Sequence, residues 1–111
     1  MNLPARLPVR TIKSLIVDDE ALARRGLALR LAAIDGIEIA GECANGREAI
    51  AAIENLRPDL VFLDIQMPGL DGFDVVRALQ GDAMPIIVFV MAFDRYAVTA
   101  FEMHALDYLL K

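Results

Sequence analysis

One cysteine is all the chain has. Cys43 therefore has no internal partner, and nothing in the sequence calls for an oxidising compartment. Its place at the end of an apolar run suits a small buried residue. Histidine is as scarce, with His104 alone. It falls near the end of a helical pattern, where an imidazole can meet the last carbonyls. No stretch resembles a signal peptide or a membrane span. No G-x-x-x-x-G-K occurs, so Gly69 and Gly72 do not belong to a phosphate-binding P-loop and are read as shaping a turn. Positive charge is also short. There are 16 acidic residues against 11 basic ones, a net charge of -5. That balance argues against nucleic-acid binding by this segment. Arg24, Arg25 and Arg30 are read as a solvated helix face. Repeats and low-complexity tracts are missing.

What is present is a core. Of 111 residues, 57% are apolar and 24% charged, which suits one folded domain. Residues 1–11, broken by Pro4 and Pro8, read as an extended leader to a domain over 12–111. The default location is the cytoplasm. Short β-rich runs then alternate with helical patterns, which predicts a parallel sheet covered on both faces. Strands are expected at 12–18, 37–43, 59–64, 86–91 and 106–110. Helices are expected at 20–34, 46–56, 72–80 and 94–104. Leu27, Leu31 and Ile34 would face inward from the first helix, and Ile50, Ile53 and Leu56 from the second. Phe73, Val76 and Leu79 would do so from the third. Asn45 and Asp71 are the expected caps of the second and third helices, and Pro58 ends the second. Right-handed crossovers then give a flavodoxin-like, doubly wound, five-stranded α/β fold of order 2-1-3-4-5.

In that order the first and third strands are neighbours at the switch point, where such folds bind ligands. Asp18 and Asp19 close the first strand, Asp64 the third, and Lys111 the fifth. The four should meet at one edge of the sheet. At about 5 Å and an effective dielectric of 20, each pair of carboxylates costs ~3 kcal/mol. A cation relieves that cost, and hard oxygen donors favour Mg2+. Mg2+ would attract a phosphoryl group, Lys111 would hold a second phosphoryl oxygen, and Asp64 becomes a candidate phosphoacceptor. The plainer alternative is that Asp18 or Asp19 merely caps the first helix.

Three stretches carry a family resemblance: Leu15-Ile16-Val17-Asp18-Asp19-Glu20, the run from Asp59 through Asp64-Ile65-Gln66-Met67-Pro68-Gly69 to Gly72, and Asp107-Tyr108-Leu109-Leu110-Lys111. Together they resemble the receiver domain of bacterial response regulators. The tail from Ala92 to Lys111 most resembles receivers of LytTR-type transcriptional regulators. The resemblance implies phosphorylation of Asp64 by a sensor histidine kinase through phosphohistidine. It implies Mg2+ held by Asp18, Asp19 and Asp64 with the backbone carbonyl of Gln66, and Lys111 on the phosphoryl group. It makes Tyr108 the aromatic that reports activation. The stripe Tyr96, Ala97, Ala100 and Phe101, mostly core by its spacing, borders a surface that resembles the one receivers use to form homodimers.

Two departures from the family pattern stand out. Met91 occupies the place where receivers carry Ser or Thr, so no hydroxyl there can donate to the phosphoryl group. The alternative it raises is a receiver-fold interaction module with weak phosphorylation-dependent switching. The chain also ends at Lys111, before the proline and final helix of the family. Without that helix part of one sheet face would be bare, and self-association, domain exchange or low stability is expected. Any contact with DNA would run through a C-terminal domain outside this chain. An enzyme reading, an aspartate-nucleophile phosphatase, finds Gln66 where its acid should be. A flavin-binding flavodoxin would have to place phosphate beside carboxylates. The expectation is therefore a switching module, not an enzyme, with no membrane partner.

Overall fold

The structure, a computed structural model, describes residues 11–79 and 84–91 and the backbone of 107–110. The helix expected at 94–104, with Tyr96, Phe101 and His104, lies outside the described residues. So do Lys111, the leader over 1–10 and the side chain of Tyr108.

The strands form where apolar β-formers run without a break. β1 (Ile12–Val17), β2 (Ile37–Cys43), β3 (Leu60–Asp64), β4 (Ile86–Met91) and β5 (Asp107–Leu110) make one sheet of order β2-β1-β3-β4-β5. All four pairings are parallel. The expected fold and strand order are both found. Leu15, Ile16 and Val17 are all buried, as a strand covered on both faces requires.

Two cores flank the sheet. Leu15, Val17, Val61, Leu63, Ile87, Phe89 and Met91 point to one face and pack against α2 (Gly46–Leu56) and α3 (Gly72–Ala78). Phe73 meets Phe89 edge to face, with ring centroids 5.1 Å apart. Phe89 is wholly buried, worth roughly 1.5–3 kcal/mol for such a side chain. Ile16, Phe62 and Val88 point the other way, toward Leu31 and Leu27 of α1 (Ala21–Ala32). That second core is smaller. Ile12 and Ile86, in the same alternation, remain about half exposed.

Helix ends follow their local chemistry. Asn45 accepts from the Glu48 N–H at 2.9 Å and caps α2. Asp71 accepts from the Asp74 N–H at 2.8 Å, and Asp74 returns a bond to the Asp71 N–H at 3.0 Å. This reciprocal box starts α3; the sequence predicts Asp71 as the cap but not the return bond from Asp74. α2 ends at Arg57, in the left-handed region at φ 47, just before Pro58. Its last carbonyls find a cation from outside the helix: Lys13 of β1 donates through Nζ to the Leu56 carbonyl.

α1 is shorter than the periodicity predicts. It stops at Ala32, so Ile34 lies beyond it and is 50% exposed, not part of the inner face. α3 likewise stops at Ala78, short of residue 80.

Candidate functional site

Strand register brings the acidic residues to one edge. Val17 pairs with Leu63, so Asp18 and Asp64 hold neighbouring positions at the carboxyl end of the sheet. Asp64 pairs in turn with Val90 of β4. The Asp18 N–H donates to the Cys43 carbonyl at 3.0 Å, tying the same point to β2. Asp18 and Asp64 are buried, at 4% and 1% exposure, whereas Asp19 and Glu20 are exposed.

Each buried carboxylate is oriented by its own loop. Asp18 Oδ1 accepts from the Glu20 N–H at 2.9 Å. Asp64 Oδ1 accepts from the Gln66 N–H at 3.2 Å. These short side-chain-to-backbone turns aim the carboxylates as the chain leaves each strand. Helix capping does not explain Asp18 or Asp19. The N-cap of α1 is Glu20, and its side chain makes no cap bond.

Carboxylate oxygens of Asp18, Asp19 and Glu20 lie within 4.8 Å of one another. Sequence reasoning missed Glu20, although it directly continues the Asp18-Asp19 pair. Asp64 is not in that tight group; it approaches through strand register. The donor set is all oxygen, which fits Mg2+ or another hard cation. Gln66 is exposed in the loop after Asp64.

The loop after Asp64 is gripped by two glycines. A Cβ on Gly72 would lie 2.6 Å from the Asp64 carbonyl oxygen and 2.9 Å from the Ile65 Cα. Only glycine allows α3 to start so close to β3. The Gly72 N–H also donates to the Ile65 carbonyl at 2.9 Å. A Cβ on Gly46 would lie 2.6 Å from the Leu70 Cβ, so α2 confines the other end of the loop. Gly69 turns the loop at φ 78. A recess of roughly 440 Å³, lined by Ile65, Gln66, Met67, Pro68, Asp71 and Phe73, opens beside it.

Met91 is 1% exposed and packs in the core beneath α2 and α3. Leu110, at the end of β5, pairs with it. Cys43 is buried as expected. Burial, helped by the Glu48 carboxylate, pushes its thiol up to about 11, while Arg24 pulls it the other way. Arg24 itself departs from the expectation of a solvated face. It is half-buried, its Nη1 donates to the Asp18 carbonyl at 2.7 Å, and its Nε lies 3.5 Å from Glu42.

The chain is similar to known proteins in sequence and in fold. The family model described as "Response regulator receiver domain" matches residues 14–111. The chain is 59% identical over 100 residues to the transcriptional regulatory protein BtsR of Salmonella typhi, covering 90% of this chain and 42% of that protein. The chain thus spans less than half the length of that relative. The crystal structure of the response regulatory domain of mrkE from Klebsiella pneumoniae superposes with a TM-score of 0.81 at 37% identity, covering 89% of this chain and 82% of that one. The response regulator domain of Thermotoga maritima CheB gives 0.83 at 28% identity, covering 92% and 79%.

Proposed function

The chain belongs to the response regulator receiver domain family, and on that premise we propose that Asp64 takes a phosphoryl group from a sensor histidine kinase. The receiver unit is taken as residues 12–111, in line with the family match over 14–111. The observation that carries the reading is the placement of Asp18 next to Asp64 at the carboxyl edge, beside an all-oxygen acidic group.

The chemistry follows from the donors. Asp18, Asp19 and Asp64, with the Gln66 carbonyl, would hold Mg2+. When bound, Mg2+ neutralises charge on the phosphoryl oxygens. An oxygen of the Asp64 carboxylate attacks phosphorus, the phosphorus–nitrogen bond to the donor imidazole breaks, and the imidazole leaves with the electron pair. The product is an aspartyl phosphate. The Gln66 N–H bond keeps Asp64 Oδ1 directed during attack. Lys111 balances the added charge. Asp64 is so buried that neighbouring groups must give way to admit a donor.

The output is a change in homodimerisation, passed to a DNA-binding domain beyond this chain. The likeness to proteins named as transcriptional regulators supports that output, and the tail from Ala92 supports the LytTR type. Tyr108 would report activation. The module acts as a switch and not as an enzyme, in the cytoplasm. Among the described residues no helix is long and apolar enough to cross a membrane.

Met91 favours a second reading. Its buried thioether cannot donate a hydrogen bond, so phosphorylation would switch the fold only weakly. Beryllofluoride with Mg2+, followed by NMR, separates the two. Shifts that reach Tyr108 support full switching; shifts confined to the surroundings of Asp64 support the weaker module.

Acetyl phosphate with Mg2+ tests the acceptor itself. The parent should gain the mass of one phosphoryl group and Asp64→Asn should gain none. Equal labelling of both proteins would remove Asp64 from its role.

A further inference from the structure

We propose that Arg24 is a positioning residue for the cation site, acting by holding the main chain of Asp18. The proposal rests on the reading of Asp18 and Asp19 as Mg2+ ligands.

Arg24 grips the acidic segment twice. Its backbone N–H donates to the Glu20 carbonyl at 3.1 Å, as the first turn of α1 demands. Its guanidinium reaches back and donates through Nη1 to the Asp18 carbonyl at 2.7 Å. The stretch Asp18–Glu20 is therefore held at both ends by one residue. The other side of the Asp18 residue is fixed as well, its N–H donating to the Cys43 carbonyl at 3.0 Å. With the Glu20 N–H on Oδ1, the backbone and the carboxylate of Asp18 are each constrained.

The two side-chain contacts of Arg24 differ in weight. The ion pair with Glu42 is 3.5 Å long, and the Glu42 side chain is 43% exposed, so water and salt weaken it. The carbonyl contact is short, charge-assisted and shielded, with the Arg24 side chain only 20% exposed. Glu42 thus aims the fork and Asp18 receives it. A lysine keeps the charge but has no fork to span both points.

Charge and position act in opposite directions here. A guanidinium bonded to the Asp18 main chain repels a divalent ion held by that segment, so its removal would tighten Mg2+ if charge decided. Held geometry acts the other way. Loss of a partner that orients ligands typically weakens metal binding 10–100-fold, and Mg2+ tolerates poor geometry badly. The proposal says that geometry wins.

Calorimetric titration of the chain with MgCl2 tests it. Arg24→Met should bind about tenfold more weakly, and Arg24→Lys should fall between it and the parent. Before any metal is added, the Glu20 amide should exchange its hydrogen faster in Arg24→Met, because its acceptor Asp18 is no longer held. Affinity equal to or tighter than the parent in Arg24→Met overturns the proposal. If Arg24→Met does not fold, parent-like affinity in Arg24→Lys overturns it equally. Asp19→Asn keeps the two readings apart. If Asp19→Asn loses Mg2+ and the Arg24 variants do not, the role of Arg24 fails alone. If Asp19→Asn binds like the parent, the cation site fails and the proposal with it.

Discussion

Replacing Gly72 with alanine should damage the fold and the site together. The new Cβ would sit 2.6 Å from the Asp64 carbonyl oxygen and 2.9 Å from the Ile65 Cα. Both are backbone atoms of β3 and the loop that follows it, so no rotamer change relieves the clash. Overpacking of this kind costs about 1–3 kcal/mol. Stretching the Gly72 N–H bond to Ile65 adds roughly 1 kcal/mol. Alanine's better helix propensity returns at most about 1 kcal/mol. The net loss should be ~2 kcal/mol. With a urea dependence typical of small domains, the unfolding midpoint falls by about 1 M. Gly69→Ala is the control. Its Cβ meets nothing within 4 Å, and its cost, about 1–2 kcal/mol, comes from φ 78 alone. Only Gly72→Ala should also weaken Mg2+ binding, since only that change displaces the Asp64 main chain. A Gly72→Ala protein with the parent's midpoint and the parent's Mg2+ affinity would refute the close-approach argument.

Two further outcomes are expected. Met91→Thr exchanges a core side chain at 1% exposure for a smaller polar one, so it should cost about 2–4 kcal/mol in urea unfolding; the same protein should extend beryllofluoride-induced NMR shifts toward Tyr108, and unchanged shifts would deny Met91 its part in weak switching. Folded Cys43 titrates at about 11 against an ordinary 9.0, so burial favours the neutral thiol. The unfolded chain loses that proton first, hence the stabilisation is whole below pH 9 and fades as pH rises from 9 toward 11. Unfolding midpoints measured across that window should fall more for the parent than for Cys43→Ala, and parallel curves would contradict the shift.

Much of this molecule was legible from residue patterns. The parallel sheet was legible in continuous apolar runs such as Ile86–Met91, which need cover on both faces, its order in the right-handed crossovers, and the site in the rule that places ligands at the switch point. Asn45 and Asp71 were legible because a cap is local chemistry, decided within four residues. The end of α1 was not, since Ile34 fits the helical spacing yet lies past the last turn. Gly72 looks like a turn residue in the sequence, which carries no sign that the Asp64 carbonyl will press against it. Arg24 looked like one of three solvated arginines. Its contacts to Asp18 and Glu42 come from three different elements, and no periodicity announces a meeting of that kind. Glu20 is hidden for a different reason: exposed acids at helix starts are common, and only the folded loop shows its oxygen close to Asp18 and Asp19.

The central claim is that loops after β1 and β3 share one cation. Substitution of Mg2+ by paramagnetic Mn2+ reads this directly, because amide signals broaden steeply with proximity to the ion. Substoichiometric Mn2+ should broaden the amides of Asp18–Glu20 and of Asp64–Gln66 together, and Asp19→Asn should abolish both effects. Broadening of one loop alone, with the other sharp at every Mn2+ level, would contradict the account.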